Sequence, residues 1–201
     1  MGEMEERRAG LTDAELMQGL AKGNTILLGE LYRRYDRRVK GALATWVPEM
    51  AQADIEDTSQ EVFIALGKTA KRYDERSKFK AWLYRIASRK AIDWRRKRWV
   101  RRRFLGRKPE NIAMALRQEH NSPAARTGLR ETVAMMLSKL TSEQRKVIWL
   151  HFVEGFDGDE IASILGVRRS TVYTRMHRAR AVLLKSVDAE SWKDILREGE
   201  L

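Results

Sequence analysis

Cysteine is absent from this chain, proline occurs only 3 times, and no apolar stretch approaches the length needed to cross a bilayer. The first absence excludes a disulfide framework and any thiolate metal site, and it agrees with a reducing compartment. The second, alongside 43% hydrophobic and 34% charged residues, disfavours sandwiches, barrels and disordered chains and favours a helix-rich soluble one. The third leaves the opening MGEMEERRAGL without the core of a secretory signal or an anchor, so a cytoplasmic chain with no membrane insertion is expected. Histidine is scarce as well: His120, His151 and His177 lie far apart with no ligand spacing. There is no Gly-rich phosphate cradle, and Asp54, Glu56, Asp57 and Glu61 have no nearby base or nucleophile. No catalytic residue, metal or cofactor is therefore expected. A chain of 201 residues suffices for two small helical domains.

What the chain has in excess is positive charge, concentrated in one place. From Arg85 to Lys108 there are twelve basic residues and one acid, Asp93, so this window carries a formal +11 of the chain's +12. It overlaps FKAWLYRIASRKAIDWRRKRWVRRR, Phe79 to Arg103. At about 100° per residue, Phe79, Trp82, Leu83, Ile86, Ala87 and Trp94 fall on one broad face that wants a core. Opposite them, Arg85, Arg89, Arg96 and Arg103 form a narrow stripe with Ile92 and Trp99 beside it. Such crowding of like charge is better tolerated where a polyphosphate screens it. A membrane surface fits poorly, because Lys97 and Arg103 leave no wide apolar face. Nucleic acid is the expected partner.

Before this helix, Thr12 and Glu15 have capping-box spacing and predict a short helix to about Lys22, which Gly23 breaks. Leu28, Leu31, Tyr32, Tyr35, Val39, Leu43 and Trp46 predict a long amphipathic helix closed by Pro48. A third is predicted from about Ala53, with Ile55, Val62, Phe63 and Leu66 inward and Asp54, Glu56, Asp57, Gln60 and Glu61 outward. Its acids complement the helix dipole or face a basic protein partner. After the basic helix, Gly106 and Pro109 mark an end, and periodicity weakens to about Gly128, as in a linker with a short helix near Ile112 to Arg117.

A second domain then begins, with Leu129, Val133, Met136 and Leu137 on one helix and Val147, Ile148, Leu150, His151 and Phe152 on the next, introduced by a capping box at Thr141 and Gln144. In DGDEIASILGVRRSTVYTRMHRARAVLLKS, Asp157 caps a helix whose core face is Ile161, Ala162 and Leu165, and Gly166 permits a turn. Val172, Met176, Ala179 and Leu183 mark the buried side of a second helix. This is the layout of a helix-turn-helix, whose second helix enters the major groove. The outer residues Arg168, Arg169, Ser170, Thr171, Tyr173, Thr174, Arg175, His177, Arg178 and Arg180 include no acid, which suits phosphates and purine edges. The tail DAESWKDILREGEL reads as a short acidic helix with Trp192, Ile195 and Leu196.

These residues together resemble a bacterial RNA polymerase sigma factor of the extracytoplasmic-function (ECF) group, over most of residues 24 to 187. Asp57, Gln60, Glu61, Val62 and Phe63 are similar to that family's core-polymerase-binding helix. Trp82-Leu83-Tyr84-Arg85-Ile86-Ala87, Ala91, Asp93 and the following basic residues resemble its minus-ten helix. Leu140, Glu143-Gln144-Arg145, Glu160-Ile161-Ala162, Leu165-Gly166-Val167, Thr171-Val172, Arg175 and His177-Arg178-Ala179-Arg180 resemble the domain that reads the minus-thirty-five element. Arg89 stands where many members carry Asn, and Tyr173 where many carry Lys, so promoter sequence is not transferred from any relative.

The resemblance implies an all-α fold of two small helical domains joined by a linker, the second a helix-turn-helix domain. Residues 10–105 would be the region-two-like domain, 106–128 the linker, 129–187 the region-four-like domain and 188–201 a tail. It implies core RNA polymerase and promoter DNA as partners and admits a dedicated anti-sigma factor. Core polymerase would be held by Asp54, Asp57, Gln60, Glu61 and Phe63. The minus-ten element would be held by Arg85, Ser88, Arg89, Asp93, Arg95, Arg96 and Arg103, with the loop from Tyr73 to Lys78 helping to form a pocket for an extruded base. The minus-thirty-five element would be read by Arg168, Arg169, Ser170, Thr171, Tyr173, Thr174, Arg175, His177 and Arg178. A stand-alone helix-turn-helix regulator would leave the acidic helix without a purpose, and a basic RNA-binding protein would leave the turn motif unused.

Overall fold

The structure is a computed structural model and describes residues 10–74, 78–104 and 128–185. The sequence expectations for the linker, for the end of the basic helix at Gly106 and Pro109, for the tail and for the middle of the Tyr73–Lys78 loop lie outside these residues. Every regular element among them is helical. The chain divides into two compact units, one of the residues up to Ala44 and from Met50 to Arg107, the other of Thr45–Glu49 and the residues from Lys108 on. Among the described residues no helix is long and apolar enough to cross a membrane.

The first unit holds α1 (Asp13–Ala21), most of α2 (Ile26–Trp46), α3 (Gln52–Thr69), a single 3₁₀ turn (Ala70–Arg72) and α4 (Phe79–Phe104). Thr12 caps α1: its hydroxyl accepts from the Glu15 amide, and the Glu15 carboxylate accepts from the Thr12 amide at 2.7 Å. Gly23 ends that helix region at φ 99°, a left-handed conformation that costs other residues energy. On α2, Leu27, Leu31, Tyr35, Val39 and Leu43 recur every four residues and are all buried. On α3, Ile55, Thr58, Ser59, Val62, Phe63 and Leu66 are buried, and the Ser59 hydroxyl donates to Asp36 on α2 at 2.7 Å.

α4 packs against α3 and, through the Tyr35–Phe79 ring contact at 5.1 Å, against α2. Its buried residues are Phe79, Leu83, Tyr84, Ala87, Ser88, Ala91 and Trp94. This corrects the face expected from the sequence, because Trp82 and Ile86 lie on its flank, half-buried, while Tyr84 and Ala91 are inside. The packed side therefore includes a strip of small residues, Ala87, Ser88 and Ala91, all buried. No residue of α4 beyond Trp94 whose side chain is described is buried, so the last turns extend past the core they spring from.

The second unit contains α5 (Gly128–Ser138), α6 (Ser142–Ile148), α7 (Gly158–Leu165) and α8 (Arg169–Leu184), with α8 packed on both α6 and α7. Thr141 and Gln144 form the expected capping box, and so do Asp157 and Glu160. Gly166 adopts φ 67°, and the Val167 amide donates back to the Ala162 carbonyl at 3.0 Å, closing the turn of the helix-turn-helix. Two expectations are corrected. α6 continues as one π-helical turn, Trp149–Val153, whose extra residue per turn leaves Leu150 inside but Phe152 71% exposed. On α7 the third core residue is Ile164 rather than Leu165, and Phe156, before the helix, is buried too.

Candidate nucleic-acid interface

Arg89, Arg95, Arg96 and Arg103 are exposed along α4, and Arg85 is partly covered. Asp93 pairs with Arg96 at 3.1 Å, so the window's one acid trims the charge of a neighbouring arginine. Ser88 does not join them: at 4% exposure it belongs to the packed side, because the helix turns that position toward its neighbours. Between the arginines, Ile92 and Trp99 are 51% and 59% exposed, and the Arg103 guanidinium lies over the Trp99 ring at 5.2 Å. Trp82 is half-buried and meets Tyr73 edge-on at 6.1 Å.

On α3, Asp57, Gln60 and Glu61 are exposed and Asp54 is partly so, along one side of the helix. Phe63 is 3% exposed, and is therefore part of the core that presents this side and not part of its surface. Ile64, which the sequence reading passed over, sits on the acidic side with 53% exposure. Its signal was available: it lies four residues after Gln60 and three after Glu61, off the Ile55–Val62–Phe63–Leu66 set.

Glu61 links this face to the basic helix. Lys90 donates to its carboxylate at 2.9 Å, and Lys97 lies 3.9 Å away. The Lys90 hydrogen bond is the main reason that the Glu61 carboxyl titrates below its ordinary range; burial opposes it, and the charges of Lys90 and Lys97 add to it. A lowered folded-state value means that the bridge stabilises the fold above the unfolded value of about 4.3 and that this contribution is lost as pH falls through the folded one. Because Glu61 is 47% exposed, the effect is small and screened by salt. Wild type is expected to melt slightly above Glu61→Gln at neutral pH and low salt, with the gap closing in acid below the ordinary glutamate range. Thermal unfolding monitored by circular dichroism checks this.

On α8, Ser170, Tyr173, Thr174, His177, Arg178 and Arg180 are exposed, and Arg168 is exposed at the N-cap. Arg169 is held to Asp159 of α7 at 2.9 Å and to the Tyr173 hydroxyl at 3.1 Å, with its guanidinium over the Tyr173 ring. Thr171 is half-buried. Arg175 is set apart from the outward residues by its partner: it faces α6, pairs with Glu143 at 3.2 Å and is 24% exposed. It lies about 50° from the buried Val172 and Ala179 around the helix axis, which turns it inward. Among the described residues, no cluster of three or more His, Cys, Asp or Glu could hold a metal ion.

Two family models match the chain: Sigma-70 region 2 over residues 31–101, and Sigma-70, region 4 over residues 130–183. The chain is 32% identical over 190 residues to the RNA polymerase sigma factor CnrH of Cupriavidus metallidurans, covering 90% of this chain and 97% of that protein. It is 32% identical over 168 residues to the ECF RNA polymerase sigma factor SigX of Bacillus subtilis, covering 79% and 82%. This chain belongs to the ECF sigma factors. The solved structure of CnrH in complex with the cytosolic domain of CnrY matches it with a TM-score of 0.62 at 27% identity, covering 89% of this chain and 99% of that one. The two-domain all-α fold implied by the resemblance is the one found. As an ECF sigma factor, the protein binds core RNA polymerase, directs it to specific promoters and assists their opening. The region-two match takes in α3 and α4 as far as Arg101, with the acidic face and the arginine stripe up to Arg96, and the region-four match takes in α7 and α8 as far as Leu183.

Proposed function

We propose that this sigma factor divides its work among three surfaces. Asp54, Asp57, Gln60 and Glu61, with Ile64 among them, dock on core polymerase. Arg85, Arg89, Arg95, Arg96 and Arg103 follow the minus-ten element, while Asp93 sets the position of Arg96, and Ser88 and Phe63 act by packing beneath these surfaces. Arg168, Ser170, Tyr173, Thr174, His177 and Arg178 read the minus-thirty-five element; Arg169, Thr171 and Arg175 hold the recognition helix in place. Residues 10–105 form the first module, 106–128 the linker, 129–187 the second module and 188–201 the tail. Two modest DNA contacts carried by one enzyme act at high effective concentration, so neither need be tight alone.

The observation that carries this reading is the acidic side of α3 lying beside the cationic stripe of α4, bridged by Glu61 and Lys90. A stand-alone operator-binding protein has no use for such a face. The chemistry belongs to the polymerase, and the protein works in the cytoplasm and catalyses nothing itself. CnrH forms a complex with the cytosolic domain of CnrY, and we extend that mode of control to this chain, with a dedicated anti-sigma factor covering these surfaces.

Run-off transcription with purified core polymerase and a genomic promoter library tests the assignment. Arg178→Ala is expected to lower initiation at minus-thirty-five-dependent promoters by roughly 5- to 150-fold, the equivalent of losing a contact worth about 1–3 kcal/mol, with an unchanged melting temperature. Arg175→Ala is expected to lower the melting temperature as well, because it breaks the pair with Glu143. Equal loss of transcription at promoters with and without that element would remove α8 from upstream recognition.

A further inference from the structure

Helical period puts Met176 and Leu183 on the buried side of α8. In the structure both are only half-buried, and the neighbouring Leu184 is 60% exposed. These three residues line an open groove of about 550 Å³, together with Met136 of α5, Ile148 of α6 and Phe152 of the π-helical turn. The lining is almost wholly apolar, and its polar or charged residues are Tyr173, His177 and Arg180, all on α8. Such a face lacks the several placed polar groups that orient a small ligand, and it has the form that takes the apolar side of a helix.

A sequence with that apolar side follows α8 directly, outside the described residues. Trp192, Ile195 and Leu196 share one helical face, with Ala189 three residues before Trp192. From Asp188 to Glu198 there are four acids and two bases, so the polar side carries charge opposite to that of Arg180. α8 ends at Leu184, in the groove itself, and Lys185 to Val187 suffices for the short turn that joins two antiparallel helices. A helix over residues 188–198 would be about 15 Å long, and the groove follows α8 from Tyr173 to Leu184, about 16 Å. A second copy of the chain is the poorer occupant, because pairing groove on groove would set Arg180 against Arg180.

We propose that residues 188–198 fold back into this groove as an amphipathic helix and so screen Tyr173 and His177 from DNA in the free protein. Across so short a connection the effective concentration is on the order of 1 mM, so an intrinsic affinity of only about 0.1 mM keeps the groove covered roughly nine-tenths of the time. Binding of the minus-thirty-five element is then weakened about 10-fold until the tail is displaced. The screening rests on the reading of α8 as the upstream-recognition helix; the docking does not.

The absence of cysteine makes the test direct. In the full chain, His177→Cys is combined in turn with a cysteine at Asp194, Ile195, Leu196 or Arg197, and the rate of intramolecular disulfide formation is followed by mass spectrometry. Arg178→Cys is the control, within the same reach of the tail but turned about 100° around α8. Cysteines at Ile195 and Leu196 should close roughly 10-fold faster with His177→Cys than with the control, and faster than those at Asp194 and Arg197. Equal rates at the four tail positions, or with both α8 positions, would overturn the docking. Disulfide-linked dimers in place of the intramolecular bond would give the groove to a second copy instead. Trp192→Ala keeps the charge of the tail and is expected to tighten binding of a minus-thirty-five duplex by the free chain about 10-fold, measured by fluorescence anisotropy. Unchanged affinity in that variant, with the expected loss in Arg178→Ala, would remove the screening. If Arg178→Ala bound the duplex as wild type does, the reading of α8 itself would fall, whatever the disulfides showed.

Discussion

Asp57→Lys is expected to leave a folded chain that no longer holds core polymerase. Asp57 is exposed on α3, between Asp54 and Glu61 on the same side of the helix, so the change removes no buried contact. At an interface with a basic surface, losing a desolvated, hydrogen-bonded carboxylate costs about 2–5 kcal/mol, and a lysine adds like-charge repulsion. Affinity for core should therefore fall by roughly 30-fold or more, with run-off transcription lost at every promoter alike. An anisotropy titration of labelled chain with core polymerase reads the affinity, and circular dichroism confirms the fold. Ile64→Ala should act in the same direction but less strongly, because an exposed isoleucine at the end of a charged face contributes burial once covered. Wild-type affinity in Asp57→Lys would take α3 out of the interface and leave the operator-binding alternative standing.

The second large effect is on the platform beneath the DNA-facing stripe. Leu83 is fully buried on α4 and sits opposite the arginine seam. Leu83→Ala should cost about 2–5 kcal/mol through lost burial and the cavity left behind. In a unit of this size that lowers the melting temperature by on the order of 10 °C or more. Ile92→Ala, an equal deletion, and Trp99→Ala, a larger one, both on the exposed side of the same helix, should barely shift it. Differential scanning calorimetry of the three variants makes the comparison. If all three melted together, the division of α4 into a packed and a DNA-facing side would be wrong. Transcription by Leu83→Ala should fall with both core binding and DNA binding, since α3 and α4 share the packing that it removes.

The places where structure departs from the sequence reading have one origin. Helical period located the core side of α4 through Phe79, Leu83, Ala87 and Trp94 but passed over Tyr84, Ser88 and Ala91, and a small residue such as Ser88 or Ala91 advertises no burial of its own. The same blindness placed Ser88 among the DNA contacts. Phe63 shows the converse, since resemblance counted it with the surface while period had already set it with Val62 and Leu66 in the core. A π-helical turn after α6 shifted the phase of the apolar pattern, leaving Phe152 outside. Arg175 matched a recognition-helix position, and only its neighbour Glu143, thirty-two residues earlier, explains why it turns inward.

By itself the sequence determined the helical class, the caps at Thr12, Thr141 and Asp157, the glycine turn at Gly166, the concentration of positive charge on one helix and the family. Apart from the family, which rests on motifs spread over residues 24 to 187, each of these depends on residues within a few turns of one another, where spacing and side-chain chemistry are sufficient. Tertiary structure alone decided which cations are committed to a partner on another helix, as Lys90 is to Glu61 and Arg175 to Glu143, and which, like Arg89 and Arg103, face outward. Pairing across helices depends on the rotation and approach of packed neighbours, and no local pattern carries that information.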